Sequence, residues 1–395
     1  MVKNVKIYLL YTVTSLFWFS TYIYSPVLPT YIKSLGASYF MVGLILGCYG
    51  VGQLALRVPI GIMSDRLGKR RIFISLGLFS LVISSAGLYL FDQPMLILIF
   101  RTFSGVASAF WVIFTVLYSS YFDESEATKA VGILNAFCNG GILLGLISGG
   151  FIVDGFGVRA TFFVSLIIAV LGFVLSFGIS EKKLERKPAE VKELLMVVRE
   201  GNFQTVAVIG VICQFVSFAT IYGFTPVVAK NLGASEFQIA MLTALSAVPG
   251  VIGSALSGSF FAGKLGERRT IIYGLLISAL SCCIIPYSHN LAMLSVAQLL
   301  GGFGTGTVFP LLMGLSIQNV PGDKRATAMG IFQAIYGLGM FMGPTVVGAL
   351  TDGIGIKWGF ITIGAVALAG IFVAMHYKQE KSCSVKKAGS GLNLK

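Results

Sequence analysis

Eleven stretches of this chain contain no Asp, Glu, Lys or Arg, and each runs for 20 residues or more: 7–32, 34–56, 72–91, 102–122, 130–153, 160–180, 201–229, 237–263, 270–322, 326–351 and 358–377. About 20 apolar residues in an α-helix cross a bilayer, so every stretch is long enough to span. The stretch 270–322 is long enough for two spans and divides at the turn-like Pro286-Tyr-Ser-His-Asn290. An all-α membrane protein with twelve transmembrane helices is therefore expected. Charged types make up only 11% of the 395 residues, against about 25% in an ordinary soluble domain. So few charges cannot cover a water-facing surface, which excludes a soluble enzyme and a disordered chain.

The cations set the expected orientation. An even number of spans places both termini on one side. With that side cytoplasmic, inner segments hold 23 Lys and Arg, and outer loops hold only Lys33, Arg159, Lys230 and Lys357. This asymmetry follows the positive-inside rule. The net charge of +13 then reads as topology in a cytoplasmic membrane, with both termini cytoplasmic, and not as attraction to nucleic acid. The stretch 7–32 is too long for a signal-peptide core and lacks a small-residue cleavage site, so it reads as a retained span. Five of the six cysteines fall in expected spans and the only histidines are His289 and His376. No disulfide framework, metal site or cofactor is expected.

The chain is a six-helix unit used twice. Leu35-Gly-Ala-Ser-Tyr-Phe40 recurs as Leu232-Gly-Ala-Ser-Glu-Phe237, and Leu67-Gly-Lys-Arg-Arg71 as Leu265-Gly-Glu-Arg-Arg269, at offsets of 197 and 198. Gly132, Gly141, Gly145 and Asp154 recur at 198 as Gly330, Gly339, Gly343 and Asp352. The expected units are 1–180 and 203–379, joined by a charged linker, 181–202, and followed by a polar tail, 380–395. The apolar patch Leu194–Val198 in the linker reads as a surface amphipathic helix. Parallel repeats with a substrate site between them are an arrangement of secondary transporters.

Between spans 2 and 3 stands Gly61-Ile-Met-Ser-Asp65-Arg66-Leu-Gly68-Lys69-Arg70-Arg71. This resembles the signature loop of the major facilitator superfamily, G-x-x-x-D-R-x-G-x-R-R. Asp65 is expected to face the positive N-terminal end of span 11, and the cations to pair with Asp123, Glu124 and Glu126 as a latch on the inner side. Span 4 carries Arg101-Thr-Phe-Ser-Gly105, similar to the superfamily's R-x-x-x-G motif, whose arginine the resemblance associates with proton coupling. Span 5 carries Gly141-x-x-x-Gly145-Leu146-x-x-Gly149-Gly150. It resembles the G-x-x-x-G-P-x-x-G-G motif of the drug:proton antiporter branch, with Leu146 in place of the proline. In the repeat the proline is present, as Gly339-x-x-x-Gly343-Pro344. These glycines read as helix-packing positions.

Polar and aromatic residues on a membrane helix face protein or water. In span 1, Tyr8, Tyr11, Ser15, Trp18, Tyr22 and Ser25 share one face, and in span 4 so do Arg101, Ser104, Ser108, Trp111, Thr115 and Tyr118. The resemblance implies that spans 1, 4, 7 and 10 line the cavity. Phe218 and Tyr222 on span 7 and Gln298 on span 10 join that set, with Asn135, Asn139, Gln333 and Tyr336 on spans 5 and 11 adding polar contacts. The aromatics have a second reading as packing or interface anchors. Arg57, eight residues before Asp65, is either a gate residue or a cation snorkelling to the inner interface.

None of the sixteen acids lies deep in a span, so a buried carboxylate is available neither as proton site nor as counter-ion to a cation. A site with Arg101 and no acid is expected to prefer anionic or neutral amphipathic solutes. The leading expectation is a monomeric, non-enzymatic secondary transporter working by alternating access, exporting a small organic solute in exchange for protons. The alternatives are an importer or facilitator of an anionic or sugar-like metabolite, and a transporter-like sensor, which the short tail disfavours.

Overall fold

The computed structural model describes residues 2–122, 127–181, 201–318, 320 and 325–377. The linker patch Leu194–Val198, the acids Asp123, Glu124 and Glu126, and the tail lie outside the described residues. The described chain is helical throughout. The first six helices are α1 (Val2–Tyr22, resumed as Leu28–Ser34), α2 (Tyr39–Leu67), α3 (Arg70–Leu90), α4 (Pro94–Ala109, then Trp111–Ser119), α5 (Ala127–Phe156) and α6 (Val158–Ser176). The second six are α7 (Gly201–Ala219, resumed as Thr225–Asn231), α8 (Glu236–Leu256), α9 (Glu267–Ile284), α10 (Leu291–Leu315), α11 (Arg325–Ile354) and α12 (Ile356–Met375). Among the described residues, all of them but α1 are long and apolar enough to cross a membrane, eleven helices in all.

The local signals follow the repeat. Ser38 caps α2 by accepting from the Met41 amide, and Ser235 caps α8 with a capping box completed by Gln238. Both are the serine of the repeated Leu-Gly-Ala-Ser. The glycine two residues before each serine, Gly36 and Gly233, holds φ of 84° and 85°, a turn that other residues resist.

Each bundle packs the same way. α1 lies on α5 and α6, α2 on α4, and α3 on α4 and α6; α7 lies on α11 and α12, α8 on α10, and α9 on α10 and α12. The bundles meet along two seams, α2 against α11 and α5 against α8. The fold is thus twelve helices in two six-helix bundles, with the repeat visible as matching contacts.

Candidate functional site

Three of the four helices that the resemblance assigns to the cavity, α1, α4 and α7, are interrupted. α1 stops at Tyr22 and resumes at Leu28 with Pro29 in its first turn. α7 passes through a π-helical segment, Thr220–Phe224, and resumes with Pro226 in its first turn. Proline lacks an amide donor and starts a helix well but continues one poorly. π-Segments are frequent at functional positions. α4 breaks at Phe110, and α10 carries Pro310. The interruptions in α1 and α7 leave Tyr22 and Tyr222 edge to face, 5.6 Å apart across the bundle boundary. From Tyr22 the aromatic contacts continue to Trp18 (6.0 Å) and Trp111 (5.3 Å). From Tyr222 they continue to Phe218 (5.4 Å) and then Tyr49 on α2 (5.8 Å). Tyr22, Tyr49, Arg101, Phe218 and Tyr222 enclose a cavity of about 10 Å³, room for one water.

Two buried arginines flank this belt. Arg101 is 5% exposed; its Nη1 donates to Tyr24 Oη (2.8 Å) and Ser104 Oγ (3.0 Å), and its guanidinium lies 4.9 Å from the Tyr49 ring. Such a cation–π contact offsets part of the lost hydration. Arg57 is 2% exposed, so it does not snorkel. Its Nη2 donates to Gln53 Oε1 (2.6 Å) and the Ser108 carbonyl (2.7 Å), and its Nη1 to Gln333 Oε1 (2.7 Å) and Tyr336 Oη (3.2 Å). Ser108 Oγ also donates to Tyr49 Oη at 2.7 Å, which ties the two arginines into one network. The ion pairs among the described residues are Asp65–Arg70, Asp92–Arg159 and Lys230–Glu236. Neither buried arginine is in one, so both charges rest on neutral acceptors, a costly arrangement in an apolar interior.

The two ends of the bundle boundary differ. At the end carrying the α1–α2 turn, Asp352 of α11 accepts from the amides of Tyr39 (2.9 Å) and Phe40 (2.7 Å) at the start of α2. Thr30 donates to Glu236 at 3.1 Å, and Phe151 meets Phe237 at 5.1 Å. At the other end Arg57 bridges the bundles through Gln333 and Tyr336. Beyond it lies a cleft of about 60 Å³ lined by α2, α4 and α11.

Both halves of the chain match the model of the Major Facilitator Superfamily, over residues 10–208 and 207–392. The chain belongs to this superfamily of transporters. It is 24% identical over 370 residues to "Multidrug resistance protein 2" of Bacillus subtilis, covering 90% of this chain and 91% of that one. It is 23% identical over 390 residues to "Quinolone resistance protein NorA" of Staphylococcus aureus, covering 96% and 98%. Among solved structures it resembles a bacterial homologue of the human lysosomal transporter Spinster, with a TM-score of 0.78 at 16% identity over 94% of this chain and 96% of that one. The human organic anion transporter MFSD10 gives 0.71 at 17% identity, over 94% and 99%. These likenesses establish the fold.

The transporter's signature loop is placed at the cleft. Asp65 Oδ1 accepts from Arg70 Nη2 at 2.9 Å, within its own loop. Thr327 and Gly330, from the first turns of α11, line the same cleft. Arg66 and Arg71 are exposed, and the Arg71 amide donates to Glu181 at 3.1 Å. Gly68 closes α2 at φ 61°, and Gly61 has open space where a side chain would stand. A Cβ at Gly141 or Gly145 would meet the carbonyl of Ser15 or Phe19 on α1 at 2.5 or 2.8 Å. Gly149 faces Ile23, Gly339 faces Val211, and Gly343 faces Phe215 on α7. Gly150 and Pro344 serve the seams instead: Gly150 faces Met241 on α8, and the Pro344 carbonyl faces Gly43 on α2.

Three sequence candidates stand apart from the network. Asn139 is exposed, and Asn135 is half-buried. Gln298 is 1% exposed, with neither amide atom hydrogen-bonded, and it does not line the central cavity. Three residues of the network were missed in sequence. Tyr49 and Gln53 precede Arg57 at spacings of four, a polar stripe on α2 that periodicity exposes. Tyr24 falls outside the face of α1 that includes Tyr22, and no sequence signal marks it.

Proposed function

We propose that this transporter exports small amphipathic organic solutes from the cytoplasm, with the Tyr22–Tyr222 belt and Arg101 as its central contact surface. The observation that carries this reading is the aromatic belt itself, which joins both bundles at the point where α1 and α7 are interrupted. Rings offer a large apolar contact with little geometric demand, which suits varied organic solutes. The drug-resistance names of two relatives support export. Residues 1–180 and 203–379 act as the rocking units of a monomer, both termini are cytoplasmic, and a proton gradient drives exchange. The test is flux of a fluorescent amphipathic solute in vesicles under an imposed pH gradient. Solute movement that follows the gradient supports the exchanger. Movement down the solute's own gradient, unchanged by pH, removes proton exchange.

A second reading, uptake of an anionic metabolite, draws on the two arginines without carboxylate partners. Accumulation of a labelled anion on the cytoplasmic side, with no export of neutral solutes, would favour it.

A further inference from the structure

Arg101 walls a cavity with room for one water, whereas Arg57 borders the larger cleft between α2, α4 and α11. The two positions differ in what a ligand could reach. We propose that Arg57 and Ser64 form the head-group end of a substrate subsite for organic monoanions with an apolar body, seated in that cleft. The proposal rests on the reading of this chain as a transporter of small organic solutes, and it names their class.

Two donors on the cleft wall are buried and unsatisfied. Arg57 Nε has no hydrogen-bond partner, and neither has Ser64 Oγ, whose residue is 1% exposed. Seven residues separate them, two helical turns, so they lie on one face of α2. Gly61 stands between them, with nothing within 4 Å of the place a side chain would occupy. Buried polar groups are normally paired, so two bare donors on one cleft wall point to an absent acceptor. The facing wall is apolar: Val112, Ile113 and Val116 of α4 and Ile331 of α11. Asp65 also lines the cleft, but Arg70 engages its carboxylate at 2.9 Å. Arg57, Arg70 and Asp65 sum to one positive charge, which matches a monoanion and repels a cation.

The position couples binding to movement. Arg57 Nη2 serves acceptors of its own bundle, and Nη1 serves Gln333 and Tyr336 of the other. An anion on the Nε edge pulls the guanidinium toward the cleft, which draws Nη1 away from Gln333 and Tyr336 and loosens the bridge. Occupancy therefore favours separation of α2 from α11 at this end, by the difference in affinity between the bridged and released forms.

The test uses the purified full chain in phosphatidylcholine nanodiscs, with decanoate and its neutral analogue decanamide as probes and affinity read from thermal stabilisation. Arg57→Gln should weaken decanoate by about tenfold or more and decanamide by less than about threefold. Arg57→Lys should recover part of the loss, and Ser64→Ala should weaken decanoate alone. Gln333→Leu leaves Nη1 held by Tyr336 alone, lets the guanidinium turn toward the cleft and should tighten decanoate, an outcome that does not depend on an Arg57 variant folding. Equal losses for both probes, or weaker decanoate binding in Gln333→Leu, overturn the proposal. Replacing half the lipid with phosphatidylglycerol should leave decanoate binding intact; its disappearance would assign the cleft to a lipid head group and overturn the substrate subsite. Binding is read without a gradient. A chain that binds decanoate yet moves no solute defeats the transport reading and leaves the anion site standing. A chain that moves solutes but ignores decanoate defeats this inference alone.

Discussion

Arg57 Nη1 donates to Gln333 Oε1 at 2.7 Å and so joins α2 of the first bundle to α11 of the second. The seam permits this reach because its glycines bring the backbones close: a Cβ at Gly47 would stand 2.6 Å from the Phe341 carbonyl, and one at Gly50 would stand 2.7 Å from the Phe341 amide. Removing Gln333 leaves a buried charged donor short of an acceptor. Gln333→Leu should cost about 1–3 kcal/mol of unfolding stability. In an Arg57→Met background the same change should cost far less, because the donor is gone. Thermal unfolding of the four proteins closes the cycle. A coupling energy near zero would mean that the bridge carries no stability.

Position decides whether a glycine on α5 tolerates a side chain. A Cβ at Gly145 would press on the Phe19 carbonyl at 2.8 Å, while Gly140 has nothing within 4 Å. Gly145→Ala should lower the unfolding midpoint and reduce flux, since backbone on α1 must move. Gly140→Ala should raise stability by about 0.5–1 kcal/mol through helix preference. Equal midpoints for the two variants would contradict this division.

The spans were legible because a bilayer demands length without charge, and the chain meets that demand in eleven charge-free stretches, one of them long enough for two spans. The repeat was legible because Leu35-Gly-Ala-Ser and Leu232-Gly-Ala-Ser perform the same turn and cap. The site was legible only in part. Helical spacing identified Trp18, Tyr22 and Trp111, but it fails at Tyr22, where α1 unwinds. Past that point the 3.6-residue period no longer assigns directions, so Tyr24, the hydroxyl that holds Arg101, was invisible. Gln298 stands 197 residues after Arg101, the offset of the repeat, but does not share its environment, and its amide is buried without a partner. Arg57 stayed ambiguous because a lone cation on a helix reads equally as anchor or gate. Its four acceptors come from three helices, and no local pattern brings them together.

The belt predicts an aromatic requirement at the bundle boundary. Tyr22 and Tyr222 meet edge to face at 5.6 Å, and pairs of this kind contribute about 0.5–1.5 kcal/mol beyond area burial. Tyr22→Ala or Tyr222→Ala should weaken an aromatic solute by roughly three- to tenfold in vesicle flux, read as a higher half-saturation. Tyr22→Phe keeps the ring and should transport like the parent. If the Phe variant fails as badly as Ala, the hydroxyl and not the ring is what the solute needs.

The seal at the α1–α2 end predicts a shift in access. Both Asp352 oxygens accept from the first amides of α2, at 2.9 and 2.7 Å, so a carboxylate of one bundle caps a helix of the other. A carboxylate there gains from the helix dipole as well as from the two hydrogen bonds. Asp352→Asn retains one acceptor and loses the charge, a loss of about 1 kcal/mol. That is a roughly fivefold shift in population toward the form open at this end. Ser25 lines the central cavity just below the seal and reports on it. In a background without native cysteines, Ser25→Cys should react about fivefold faster with an impermeant maleimide when Asp352→Asn is also present, added from the side facing the α1–α2 turn. Asp65→Asn lies at the opposite end and pairs within its own loop, so it should not accelerate that reaction. Intact cells also settle orientation with the same reagent. Labelling from outside the cell places the α1–α2 turn outside, as expected from the distribution of cations, and labelling only after permeabilisation inverts the topology.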